Sequence, residues 1–144
     1  MSEGVGTKQK VSESRVRVRY AETDQMGVVY HANYLVWFEI GRVDFIRTLG
    51  LDYNTMERED GLRIAVVGVT ARYKAPARYD DDLIVETRLV AARGAVIKFG
   101  YRVIRCADGV VLCEGETVHV VVDTEMKKHS LPEKYASRFA AVLI

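Results

Sequence analysis

No run of about 18 apolar residues occurs in the chain, so no helix is expected to span a membrane. The opening residues, MSEGVGTKQK, lack the apolar core of a signal peptide, and a cytoplasmic location is the expectation. Neither sign of charge is in excess. The 21 Lys and Arg against 20 Asp and Glu leave +1, which offers no field for nucleic acid or an anionic membrane. Cysteine occurs twice, at Cys106 and Cys113, on either side of Asp108-Gly109, a dipeptide that favours a tight hairpin turn. A turn centred there sets Cys106 against Val111 and Cys113 against Ile104. The thiols are then not opposite each other, and both read as free, buried, small hydrophobes. Proline also occurs twice, and Pro76 and Pro132 stand where a strand breaks and where a helix opens. No Gly-x-x-x-x-Gly-Lys and no Gly-x-Ser-x-Gly is present, so P-loop chemistry and a serine hydrolase elbow are unsupported. His119 and His129 share no metal-ligand spacing with each other, with His31 or with the cysteines. Both read as structural or surface residues, and no metal or bound cofactor is expected.

Core-forming material is what the chain does have. Its 144 residues, 49% hydrophobic, suffice for one domain with a real core and no covalent staples. The densest stretch is YAETDQMGVVYHANYLVWFEIGRVDFIRTLG, residues 20–50. A polar turn from Ala21 to Gly27 leads into a helix that starts near Asn33 and ends at Gly50, a residue suited to the left-handed position after a helix. Its large apolar side chains, Leu35, Trp37, Phe38, Ile40, Val43 and Phe45 among them, point in nearly every direction. That pattern predicts a helix buried on all sides. Glu39 and Arg42, three residues apart, fit an intrahelical ion pair.

The rest of the chain reads as the wrapping. Residues 1–14 are small and polar and are expected to form a mobile tail before a single domain over 15–144. Arg15 to Ala21 alternates, which predicts a strand burying Val16, Val18 and Tyr20. Residues 51–62 predict a loop with a short helix. Four further strands are expected over 63–74, 83–91, 95–105 and 110–123, with hairpin-type links between them. Ser130-Leu131-Pro132-Glu133 fits a capping box opening a last helix that carries Tyr135, Phe139 and Val142. Strand, long helix, four strands and short helix predict an α+β domain in which a curved antiparallel sheet covers one helix.

One loop carries candidate chemistry. Asp24, Gly27 and His31 stand directly before the N-terminus of the long helix, where unpaired backbone N–H groups and the helix dipole favour negative charge. Fixed donors of that kind stabilise an oxyanion, and a nearby carboxylate can attack a carbonyl or take a proton from water. On residue types alone, Asp24 reads first as a turn former or a cap.

The stretch Tyr20-Ala-Glu-Thr-Asp24-Gln-Met-Gly27-Val-Val-Tyr30-His31-Ala-Asn33-Tyr34 resembles the signature of the 4-hydroxybenzoyl-CoA thioesterase family: an aromatic strand end, Asp-x-x-Gly-x-Val, an aromatic or His pair, then Asn-Tyr opening the helix. Arg72-Tyr73-Lys74-Ala75-Pro76-Ala77 is similar to the family's strand entering a Pro-Ala turn. The resemblance implies a hotdog fold, a curved five-stranded antiparallel sheet wrapped around a long central helix. It implies an acyl-CoA thioesterase in which Asp24 is nucleophile or general base and the backbone N–H at His31 polarises the thioester carbonyl. Gly27, Tyr30 and Asn33 would shape the site. The best-described member carries Tyr at the position of His31, so the role of the His31 side chain stays open. Arg72, Lys74, Arg78 and Arg93, at strand ends, are candidate donors to the phosphates of coenzyme A. Coenzyme A enters as part of the substrate, with acyl carrier protein as the alternative thiol carrier. Assembly as a homodimer or a dimer of dimers is implied, with sites at the subunit boundary. A 3-hydroxyacyl-thioester dehydratase and a non-catalytic acyl-thioester-binding module are the competing expectations, and Glu39, on the long helix, is the alternative catalytic carboxylate.

Overall fold

A computed structural model describes residues 10–143. Along the chain come β1 (Val11–Arg17), a 3-10 turn at Tyr20–Glu22, α1 (Asn33–Thr48), α2 (Tyr53–Asp60), β2 (Arg63–Tyr73), β3 (Asp82–Arg93), β4 (Val96–Arg105), β5 (Val111–Val122) and α3 (Glu133–Ala140). Helix α1 stops because Gly50, at φ +79°, takes the left-handed conformation just past its end. Helix α2 starts where the Asp52 side chain accepts the Asn54 N–H at 3.2 Å, and it ends at left-handed Gly61.

The strands form one antiparallel sheet in the order β1-β3-β4-β5-β2. Links β3–β4 and β4–β5 are the expected hairpins. The link from β2 to β3 is not a hairpin: β3 is flanked by β1 and β4, so β2 crosses to the far edge and pairs with β5. Residues 74–81 make that crossing over the start of α1, where the Ala77 carbonyl accepts the Val29 N–H at 2.9 Å and the Ala77 side chain is buried. Bulges at Val66/Gly68, Leu89/Ala91 and Val103/Ile104 interrupt the register and bend the strands.

Helix α1 lies on one face of this sheet. Phe38 stacks on Tyr101 with ring centroids 4.3 Å apart, and Phe45 meets Phe99 edge-on at 5.7 Å. Close approach needs glycine in two places. A Cβ on Gly41 would run into the Thr87 hydroxyl, and one on Gly115 would lie 2.6 Å from the Thr70 carbonyl and 2.7 Å from the Phe38 ring. Helix α3 closes one end, its Tyr135 hydroxyl and Lys134 ammonium both meeting the Asp60 carboxylate.

Several sequence expectations need correction. Burial of α1 is one-sided: Trp37, Phe38, Phe45 and Ile46 are covered, while Leu35, Val36 and Ile40 are 39%, 50% and 39% exposed, because a single sheet covers only one face of a helix. Of the expected tail, residues 1–9 lie outside the described residues, and Val11 to Ser14 already belong to β1, held by pairing with β3. The strand ends at Arg17 rather than Ala21, leaving Val18 buried but Tyr20 exposed. The bulge at Val103/Ile104 shifts Cys113 opposite Val103, and burial pushes its thiol up to about 11, whereas Cys106 is only half-buried beyond the strand end. The capping box does not form, since α3 starts after Pro132 without a side-chain cap. Tyr135 and Phe139 are buried as expected.

Candidate active site

The loop before α1 is built around a carboxylate that spacing arguments overlook. Glu22 is buried, and its oxygens accept the Arg19 N–H at 2.8 Å, the Arg19 guanidinium at 3.3 Å and the Trp37 indole N–H at 3.3 Å. Its backbone carbonyl accepts the Tyr30 N–H at 2.9 Å and the Asn33 side-chain amide at 2.8 Å. Asn33 thus ties the first turn of α1 to the strand-end segment and fixes where the helix starts.

Between those anchors the chain makes a tight turn. Asp24 donates its N–H to the Val28 carbonyl at 2.8 Å, and its Oδ1 accepts the Met26 N–H at 2.9 Å and the Val28 N–H at 3.4 Å. Gly27 sits at φ +79°, which side-chain-bearing residues rarely adopt, with open space around it. Asp24 Oδ2 accepts no hydrogen bond among the described residues. One oxygen therefore orients the carboxylate and the other is left available.

Just downstream, the His31 and Ala32 amides donate to no protein acceptor among the described residues. They stand at the N-terminal end of α1, where the helix dipole adds partial positive charge. The exposed His31 ring packs on Tyr30 at 4.6 Å and faces Tyr73 at 6.0 Å. Tyr73 donates its hydroxyl to the His31 carbonyl at 3.2 Å. A hollow of about 300 Å³ opens here, lined by His31, Tyr34, Tyr73, Lys74, Ala75 and Pro76 among others. Burial pushes the Tyr34 hydroxyl up to about 12, so at neutral pH it is a protonated wall of the hollow. Asp24 does not line this hollow itself; it is joined to it through Val28.

The candidate cations divide. Lys74 lines the hollow and pairs with Glu114 at 3.1 Å. Arg72 faces a different depression, shared with Arg88, Arg102, Glu114 and Glu116. Arg93 ends β3 at the β3–β4 hairpin, and it lines neither depression. Glu39 is exposed and makes no ion pair with Arg42, whose guanidinium turns instead toward the Tyr53 and Tyr101 hydroxyls. His129 is exposed and bonds Asp123 at 2.7 Å, while His119 lies in the core.

A carboxylate with one free oxygen, in the loop that leads to two free amides at a helix N-terminus, can activate water or attack directly while the amides hold a developing oxyanion. Sequence reasoning missed Glu22 and Tyr73. Glu22 offered no signal beyond an acid between Ala21 and Thr23 in the turn after the first strand. Tyr73 alternates with Arg72 and Lys74 before Pro76, a strand pattern that carries no functional signal.

Residues 18–139 match the thioesterase-like superfamily. YneP of Bacillus subtilis (strain 168) is 42% identical over 118 residues, covering 82% of this chain and 84% of its own. The acyl-CoA thioester hydrolase YbgC of Escherichia coli O157:H7 is 36% identical over 127 residues, covering 86% and 92%. Among solved structures, the hypothetical protein TT1821 from Thermus thermophilus superposes with a TM-score of 0.87 at 38% identity, over 94% of this chain and 99% of that one. A 4-hydroxybenzoyl-CoA thioesterase mutant complexed with 4-hydroxybenzoyl-CoA superposes with a TM-score of 0.83 at 19% identity, over 89% and 97%. That likeness concerns the fold, which is the hotdog fold expected from the sequence.

Proposed function

Since the chain belongs to the thioesterase-like superfamily, we propose that it is an acyl-coenzyme A thioesterase working through Asp24. The observation that carries this reading is that one loop holds both the free Oδ2 of Asp24 and, at its end, the unpaired amides of His31 and Ala32. The names of relatives such as YbgC support acyl-coenzyme A as the substrate. With the thioester carbonyl oxygen on the amides at the start of α1, Asp24 Oδ2 takes a proton from water as the water oxygen bonds to the carbonyl carbon. Collapse of the tetrahedral intermediate breaks the C–S bond, releasing the carboxylic acid and the coenzyme A thiolate, which takes up a proton. In the nucleophilic variant Asp24 Oδ2 bonds to the carbonyl carbon and the C–S bond breaks to release the coenzyme A thiolate, which takes up a proton. Water then hydrolyses the mixed anhydride to the carboxylic acid and free Asp24. Both routes use water and the residues named, with coenzyme A as part of the substrate.

Gly27 lets the loop turn, Tyr30 backs the His31 ring, and Asn33 holds the helix start in register. Lys74, at the rim of the hollow, is the cation best located for a phosphate; Arg72 and Arg93 lie farther out. The reading also includes assembly. Strand β2 is a sheet edge of 11 residues carrying exposed Val66, Val67 and Val69, and such edges are normally paired or protected. Antiparallel pairing of two β2 edges makes a continuous sheet and a homodimer, and the exposed Leu35, Val36 and Ile40 of α1 give a surface on which dimers can pair.

The test is thiol release from a panel of acyl-coenzyme A and acyl carrier protein thioesters. Catalytic thiol release supports hydrolysis. Dehydration without thiol release, or tight binding without turnover, contradicts it.

A further inference from the structure

A second hollow, of about 340 Å³, lies beside the later turns of α1, against α2 and the first residues of β2, with Arg42, Tyr53, Asn54 and Ile64 in its lining. Arg42 is half-buried there, and its guanidinium faces the Tyr53 and Tyr101 hydroxyls. No carboxylate stands within ion-pair distance of it among the described residues. Other charged groups at the hollow are engaged or in water. Asp52 caps α2 through Asn54 and Thr55, Arg47 pairs with Asp44 at 3.7 Å, and Glu39 and Glu57 are exposed. A cation partly withdrawn from water, facing neutral hydroxyls and held in no ion pair, is stabilised by an incoming anion. Nothing in the hydrolytic reading uses this hollow.

The free edge of β2 says where the hollow lies in a dimer. Full overlap of two β2 strands about a twofold at Gly68, the middle of Arg63–Tyr73, sets Arg63 of one copy opposite the partner's Tyr73. The start of β2, where Ile64 lines the Arg42 hollow, then adjoins the end of the partner's β2, where Tyr73 and Lys74 line the hollow beside His31. On one chain, Arg42 is about 16 Å beyond His31 at ~1.5 Å per helical residue, too far for a short acyl group.

Resting on the thioesterase reading and on pairing of β2 edges, we propose that the acyl end of the thioester enters the Arg42 hollow of the partner subunit, which selects acyl groups ending in a carboxylate. The guanidinium receives the carboxylate through paired N–H donors, with the Tyr53 hydroxyl and the Asn54 amide alongside. The volume suits a short chain, being at the small end of ligand pockets of roughly 300–1,000 Å³.

The experiment compares thiol release from glutaryl-coenzyme A and pentanoyl-coenzyme A, which share a five-carbon chain and differ in the terminal carboxylate. The expected kcat/KM ratio favours glutaryl at least ~10-fold, and Arg42→Met collapses that ratio. Because both substrates are read on the same sample, the ratio does not depend on the folded fraction. Mixed dimers of Asp24→Asn with Arg42→Met chains, isolated by two tags, keep one site with both native residues only if Arg42 acts across the interface. They are therefore expected to regain the glutaryl preference. Hydrolysis of pentanoyl-coenzyme A with no glutaryl preference, a preference that survives Arg42→Met, or mixed dimers that stay unselective would each overturn the proposal and leave the thioesterase reading standing. No thiol release from any thioester would overturn both.

Discussion

Lowering the pH from 7 to 4 should unload a specific part of the core. His119 on β5 is fully buried, with Nε2 2.7 Å from the Thr117 hydroxyl, which is itself 2.6 Å from the Tyr101 hydroxyl. Its Nδ1 has no hydrogen-bond partner among the described residues, and the ring meets Phe99 edge-on. Burial first, and the Arg42 charge second, push its pKa from 6.5 down to about 4. Unfolding returns the ring to water, where it takes a proton near pH 6.5. Between pH 6.5 and 4 the unfolded chain thus holds a proton that the folded chain refuses. Stability is full above about pH 6.5, falls as the pH drops, and stops falling below about pH 4. At 1.36 kcal/mol per unit, the contribution lost is about 2 kcal/mol at pH 5 and about 3 kcal/mol at pH 4. Urea unfolding at fixed protein concentration, followed by Trp37 fluorescence, measures it. His119→Gln keeps a neutral polar side chain and cannot titrate, so the variant should lose less stability than the parent over this range. Parallel pH profiles for parent and variant would refute the reasoning.

Phe38→Ala removes a fully buried ring stacked on Tyr101 and should cost about 3–5 kcal/mol by urea titration; a melting temperature within a degree or two of the parent would contradict this packing. Gly115→Ala places a methyl against the Thr70 carbonyl and the Phe38 ring, and about 1–3 kcal/mol of destabilisation is expected in the same assay, despite the entropy gained by replacing glycine. Sedimentation equilibrium at micromolar concentration should give at least twice the 16.2 kDa chain mass, with Val67→Lys on the free β2 edge shifting the population toward the single chain.

Long periodic elements and turn residues were the legible part of this fold. Asn33 and Gly50 bracket α1, the two glycine hairpins join β3, β4 and β5, and the Tyr135 and Phe139 pattern marks α3. What the pattern does not carry is pairing. Nothing in residues 63–81 says that β2 must pass β3 and lie beside β5, because β3 could present either edge to it. The exposed face of α1 was misread for a related reason. Apolar residues all round a helix do not say which of them a single sheet will cover, and Val36 and Ile40 remain open. At the candidate site, Asp24, Gly27 and His31 are close in sequence, so their proximity could be anticipated. Glu22 under Trp37 and Tyr73 under His31 are tertiary contacts, separated in sequence and invisible to spacing. The Glu39–Arg42 pair shows the converse, since helical spacing permits an ion pair that Tyr53 and Tyr101 draw Arg42 away from.

The role of Asp24 is tested most directly by Asp24→Asn, with thiol release from an acyl-coenzyme A measured at matched folded fraction. The substitution keeps the Oδ1 contacts to the Met26 and Val28 amides while removing the nucleophile and base at the free oxygen. A fall in kcat of at least ~100-fold, with KM within a few-fold, is the predicted result. Glu39→Gln, at an exposed position on α1, should retain near-parental turnover. An active Asp24→Asn beside a folded but inactive Glu39→Gln would contradict the account and assign the chemistry to the helix carboxylate.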